Sequence, residues 1–111
     1  MKRETIDEFV LKIVKKRQLG HRLNQRQKLF EFVVEKNGFV SLLQLRRKFK
    51  FDVTRQCRYL RDMGIMARPI ERTTRTDNEI VHCSFYYIPE IVKVVTEEMI
   101  IKRIQADSLY W

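Results

Sequence analysis

Residues 41–64 run SLLQLRRKFKFDVTRQCRYLRDMG, two short helical patterns meeting at a tight corner. Ser41 and Gln44 match a capping box, in which each side chain takes a free backbone N–H at the helix start. Leu42, Leu45 and Phe49 follow at helical spacing and give the first helix a buried stripe. Asp52 suits the start of the second, since a carboxylate accepts from free N–H groups at the positive end of the helix dipole. Val53, Cys57 and Leu60 then form one apolar face, extended by Met63 and closed at Gly64. Thr54, Arg55, Arg58, Tyr59 and Arg61 are left outside. A helix pinned by one stripe and lined with arginine opposite is shaped to enter a nucleic-acid groove.

A chain of 111 residues is long enough for one buried core, so a single domain over 1–111 is expected. At 44% hydrophobic and 33% charged residues it belongs with globular proteins and not with disordered ones. No apolar run approaches the length of a membrane span, and the first residues lack the pattern of a signal peptide. Cys57 and Cys83 fall on a predicted helix and a predicted strand without metal-ligand spacing. They are expected as reduced core residues of a cytoplasmic protein, nucleoid-associated or in the interior of a host cell. No cofactor or metal is expected.

The net charge of +9 is unevenly spread. Residues 12–28 hold seven Lys/Arg and no acid, or +7. Residues 41–75 hold ten against Asp52, Asp62 and Glu71, again +7, whereas 76–111 hold three against six acids, or −3. A basic middle with an acidic tail predicts one face for a polyanion and a segment kept off it.

Upstream, Thr5 and Glu8 open an amphipathic helix over 5–18 with Ile6, Phe9, Val10, Ile13 and Val14 inward. Asn24 and Gln27 open another, running to about Lys36 and ending at Asn37-Gly38. Phe39-Val40 leave room for a short extended step. Downstream, 65–72 is β-compatible but holds Pro69, which confines it to a sheet edge. Residues 80–88, IVHCSFYYI, alternate as a strand with Val81, Cys83, Phe85 and Tyr87 on one side. Asp77-Asn78 suits the turn between these two strands. Pro89-Glu90 predicts the start of a last helix over 90–107, apolar nearly all round.

Helix, short strand, helix, arginine-rich helix and two-stranded hairpin, over 24–88, resemble the winged helix-turn-helix superfamily. Gly38-Phe39-Val40-Ser41, Leu45, Phe49, Asp52, Leu60, Met63, Gly64 and Ile65 carry the resemblance. Gln56 departs from it, standing where a buried aliphatic is usual. The resemblance implies a mainly α fold with a small antiparallel β wing, flanked by N- and C-terminal helices. It implies that Thr54, Arg55, Gln56 and Arg58 face base edges in a major groove, where the arginine fork matches guanine O6 and N7. Tyr59 and Arg61 would lie nearer phosphate, and Arg68, Arg72 and Arg75 would form a basic wing. Ser41 and Gln44 would offer helix N–H groups to a phosphate, beside Arg46, Arg47, Lys48 and Lys50.

The flanking helices 5–18 and 90–107 lie outside that core. Ile91, Val94, Val95, Met99, Ile101 and Ile104 present more apolar surface than the first helix hides, which predicts a two-fold homodimer. Intramolecular packing on a monomer is the other arrangement. The function expected is sequence-specific double-stranded DNA binding, as in a transcriptional regulator. The alternatives are non-specific or architectural DNA or RNA binding, and a winged-helix protein-interaction module. No membrane partner is expected, and nothing in the sequence indicates a small-molecule effector. An enzyme is not expected: there are two histidines, no glycine-rich phosphate loop, and no nucleophile with a base at recognisable spacing.

Overall fold

The computed structural model describes residues 3–75 and 79–110. Five helices and a three-stranded antiparallel sheet make a mixed α/β fold. They follow as α1 (Ile6–Gln18), α2 (Gln25–Glu35), β1 (Phe39–Ser41), α3 (Leu42–Lys48), α4 (Val53–Asp62), β2 (Ile70–Arg75), β3 (Ile80–Tyr87) and α5 (Glu97–Asp107). A 3₁₀ turn, Ser108–Tyr110, ends the described chain.

Local sequence sets most of these boundaries. Thr5, Asn24, Ser41 and Asp52 cap α1 to α4 through their side-chain oxygens, with complete capping boxes at Asn24/Gln27 and Ser41/Gln44. The C-terminal ends of α1, α2 and α4 also share one pattern. In α2 the Asn37 N–H donates to the Val34 carbonyl and the Gly38 N–H to the Val33 carbonyl, a Schellman closure with Asn37 at φ 63°. α1 closes likewise on Arg17 and Lys16, and α4 on Arg61 and Leu60.

The sheet order is β1-β3-β2, with β3 in the centre. Phe39 pairs with Tyr87 and Ser41 with Phe85 on one side, while Ile70 pairs with Phe85 and Arg75 with Ile80 on the other. β2 begins five residues later than the β-compatible stretch at 65–72. Ile65 and Met66 go into the core instead, held by N–H bonds to the Leu60 carbonyl. The expected Asp77-Asn78 turn lies outside the described residues.

Alternation along β3 divides the core. Tyr86, paired with Val40, looks into the main cluster with Leu29, Phe30, Val33, Leu45, Val53, Leu60 and Ile88. Phe85 looks the other way, is fully buried, and stacks on Phe39 at 5.7 Å between centroids. Ile100 of α5 is buried as well but belongs, like Phe85, outside the main cluster. α1 joins the main cluster through Phe9, edge-on to Phe30 at 4.9 Å, and Ile13.

The last helix differs from expectation. It starts at Glu97, capped by Thr96, not at Glu90. After Pro89 a single turn forms, with Ile91 and Val92 N–H groups donating to the Ile88 carbonyl, and it is not continued. Val92, Val94, Val95 and Thr96 are β-branched and lose side-chain freedom in a helix, whereas Thr96 accepts the Met99 N–H as a cap. Ile91 is held where it is by Gly38, whose backbone has φ +85° and whose absent Cβ would stand 2.8 Å from Ile91 Cβ.

That close approach gives a stability prediction. Gly20 has φ +70° with open space where a Cβ would be. Gly20→Ala is therefore expected to cost only backbone strain, about 1–2 kcal/mol. Gly38→Ala adds a backbone-fixed clash and is expected to cost clearly more. Urea unfolding of the two variants checks this, and equal losses would remove the role assigned to the Gly38–Ile91 contact.

Candidate nucleic-acid interface

α4 is the element on which the candidate residues converge. Val53, Cys57, Leu60 and Met63 are all 3% exposed or less and fix its inward face against α2 and α3. With Cys57 inward, the register is settled. Gln56 is turned sideways and its Nε2 donates to Gln25 Oε1 at 3.3 Å, so the residue that departs from the superfamily pattern is tied to the start of α2. Thr54, Arg55 and Arg58 are exposed, and Arg61 is half-buried.

The Arg58 and Arg61 side chains make no hydrogen bond or ion pair among the described residues. Arg55 has Asp52 within 3.7 Å, both groups being more than half exposed. Such a pair contributes little and yields readily to a stronger anion. Asp52 is mainly occupied elsewhere: Oδ1 accepts from the Thr54 hydroxyl at 2.8 Å and from the Arg55 N–H at 3.1 Å. These bonds, the Thr54 one foremost, hold its carboxyl below its ordinary value.

Between α4 and the sheet runs a cleft of about 330 Å³, lined by Thr54, Arg55, Arg58 and Arg61 on one wall and Ala67, Pro69 and Tyr86 on the other. Tyr86 is 8% exposed, and burial pushes its hydroxyl pKa up, an effect that the nearby Arg46 and Arg61 charges oppose. Arg61 of α4 lines the cleft beside this phenol, and the charge of Arg46 on α3 acts on it as well. The sequence did not join these three residues; alternation along β3 alone places Tyr86 on that side.

The remaining expected positions divide. Arg46, Arg47, Lys48 and Lys50 are exposed on α3 and the corner that follows. Ser41 is buried at 2%; its N–H donates to Gln44 Oε1 and the Gln44 N–H donates to Ser41 Oγ, so the two N–H groups expected to face a phosphate are both taken up by the capping box. Tyr59 is half-buried under the Arg26 guanidinium, 4.6 Å from ring centre to Cζ. Arg26 and Gln25 bring the first turn of α2 beside α4. The only sequence signal for this was the charge run over 12–28.

Among the β2 arginines, Arg72 pairs with Cys83 and Arg75 with Ile80, so the pleat turns them to opposite faces. Arg72 faces α5 and is bound by Glu97 at 2.6 Å. Arg75 lies on the Tyr86 side and, like the exposed Arg68, has no ion pair among the described residues. The six residues expected to pair two chains are scattered. Ile91, Val94 and Val95 precede α5, with Val94 71% exposed; Met99 and Ile104 are half-buried, and Ile101 is 51% exposed.

Both cysteines are free. Burial pushes the Cys57 thiol up to about 12, and Cys83 is raised by burial and by the Asp107 carboxylate. No cluster of metal-ligating side chains occurs among the described residues. None of their helices is long and apolar enough to cross a membrane. Compared with protein-family models, curated proteins and solved structures, the chain gives no match to any of them.

The Asp52 cap has a pH signature. Its carboxyl is lowered in the folded chain, so the stabilisation is present above the unfolded carboxylate pKa and is lost as pH falls through the lowered folded value. Wild type is expected to exceed Asp52→Asn in stability at neutral pH, with the gap closing below about pH 4. Thermal melts across the acid range test this; a gap independent of pH would show that the charge contributes nothing.

Proposed function

We propose that this chain is a non-enzymatic, sequence-specific double-stranded DNA-binding protein of winged helix-turn-helix type, acting as a transcriptional regulator. In this reading α4 is the recognition helix, α3 its partner, and β2–β3 the wing. One observation carries it: α4 presents three arginines on its outer side, with a single loose carboxylate contact at 3.7 Å among them. Guanidinium groups held on a rigid helix and left without internal partners are matched to base-edge and phosphate acceptors.

Thr54, Arg55 and Arg58 are assigned to the bases. Arg61, Arg46 and the cleft against Tyr86 are assigned to the backbone that flanks them. Arg75 and Arg68 supply the wing contact, and Arg72 is assigned to holding α5. Stacking on single strands has less support, because Tyr86 is buried and Tyr59 is covered by Arg26.

Selection from random duplexes is expected to return an enriched motif. Arg58→Ala should cost about 1–3 kcal/mol and relax preference at one base pair. Arg75→Ala should weaken all sequences alike and lower the slope of log affinity against log salt by about one. Binding that survives selection without any enriched motif would remove the sequence-specific part of this reading.

A further inference from the structure

Away from α4, exposed aliphatic side chains line up along α1. Val10, Leu11 and Val14 are 39%, 53% and 42% exposed, although Phe9 and Ile13 on the same helix are 4% exposed. At 3.6 residues per turn these three fall on a second stripe, turned away from the one that packs on α2. Val10 and Val14 line a shallow groove completed by Val34 of α2, itself 41% exposed. The helix has a partner on one side and water on an equally apolar side.

Its charges indicate what fits there. Asp7 and Lys15 lie one turn before and one turn after Leu11, on the same face. Neither forms an ion pair among the described residues, whereas Lys12 is bound by Glu4 and Arg17 by Glu31. The first turn of α1 is acidic, with Asp7 and Glu8, and the last turn is basic, with Lys15, Lys16 and Arg17. A second α1 laid antiparallel about a two-fold axis at Leu11 brings each Asp7 against the other's Lys15. It also opposes the two helix dipoles. α5 lacks this match, since its first turn is acidic and its last turn holds no basic residue.

We propose that α1 is a self-association surface, on which two copies of the chain pair antiparallel along Val10, Leu11 and Val14 with Asp7 of each beside Lys15 of the other. The pairing does not depend on nucleic-acid binding.

Sedimentation equilibrium of the full chain without nucleic acid tests it. Wild type is expected to dimerise reversibly. Leu11→Glu with Val14→Glu should raise the dissociation constant by about a hundredfold or more, because each change enters a two-fold interface twice. The thermal melt measured at a concentration where wild type is monomeric should stay put, since neither residue is in the core. Lys15→Glu should weaken the dimer, and adding Asp7→Lys should restore it. A chain that stays monomeric, or a dimer lost instead through Val94→Glu with Ile101→Glu, overturns the proposal. A dimer indifferent to Lys15→Glu overturns the antiparallel register.

Discussion

Everything about α4 follows from the dry contact on one of its sides. Val53, Cys57, Leu60 and Met63 are excluded from water together with Leu29, Val33 and Leu45. A ten-residue helix is not stable by itself, so this packing is what holds it helical. Once those four positions are inward, helical geometry leaves no choice for the rest. Thr54, Arg55 and Arg58 must stand in solvent, and Arg61 must lie at the edge of the sheet.

The ion pairs then explain why that charge stays uncompensated. Three acids of the C-terminal segment are engaged away from α4: Glu97 with Arg72, Glu98 with Lys102, and Asp107 with Arg103. Near α1, Glu4 is engaged with Lys12 and Glu31 with Arg17. Two acids stand by the outer side of α4: Asp52, whose Oδ1 already accepts from Thr54 and the Arg55 N–H, and the exposed Asp62, one turn after Arg58, which forms no ion pair among the described residues. The acidic tail is folded onto the face opposite α4. Its carboxylates therefore do not pair with the α4 arginines.

Legibility in the sequence tracked how local the deciding interaction was. The starts of α1 to α4 were readable because a cap and its N–H partner are three residues apart. The inward face of α4 was readable from spacing alone. The start of α5 was not: Pro89-Glu90 is a sound helix opening, and only the β-branched run and the Gly38–Ile91 contact, across fifty residues of chain, defeat it. The site shows the same division. Arginine on α4 could be counted, but Gln56 bound to Gln25, Arg26 over Tyr59, and Arg72 held by Glu97 all depend on elements far apart in sequence. Ser41 was legible as a cap, and that same role withdraws it from a ligand.

On the proposed function, the outer face of α4 takes duplex DNA while its inner face stays packed. Backbone amide shifts, followed while a selected duplex is titrated into labelled protein, address it most directly. Changes are expected to concentrate at Thr54, Arg55, Arg58 and Arg61 and at the Tyr86 edge of the cleft, with Leu29, Val33 and Phe85 unmoved. Changes centred on α5 or α1 with α4 silent, or a collapse of the core signals on binding, would contradict it.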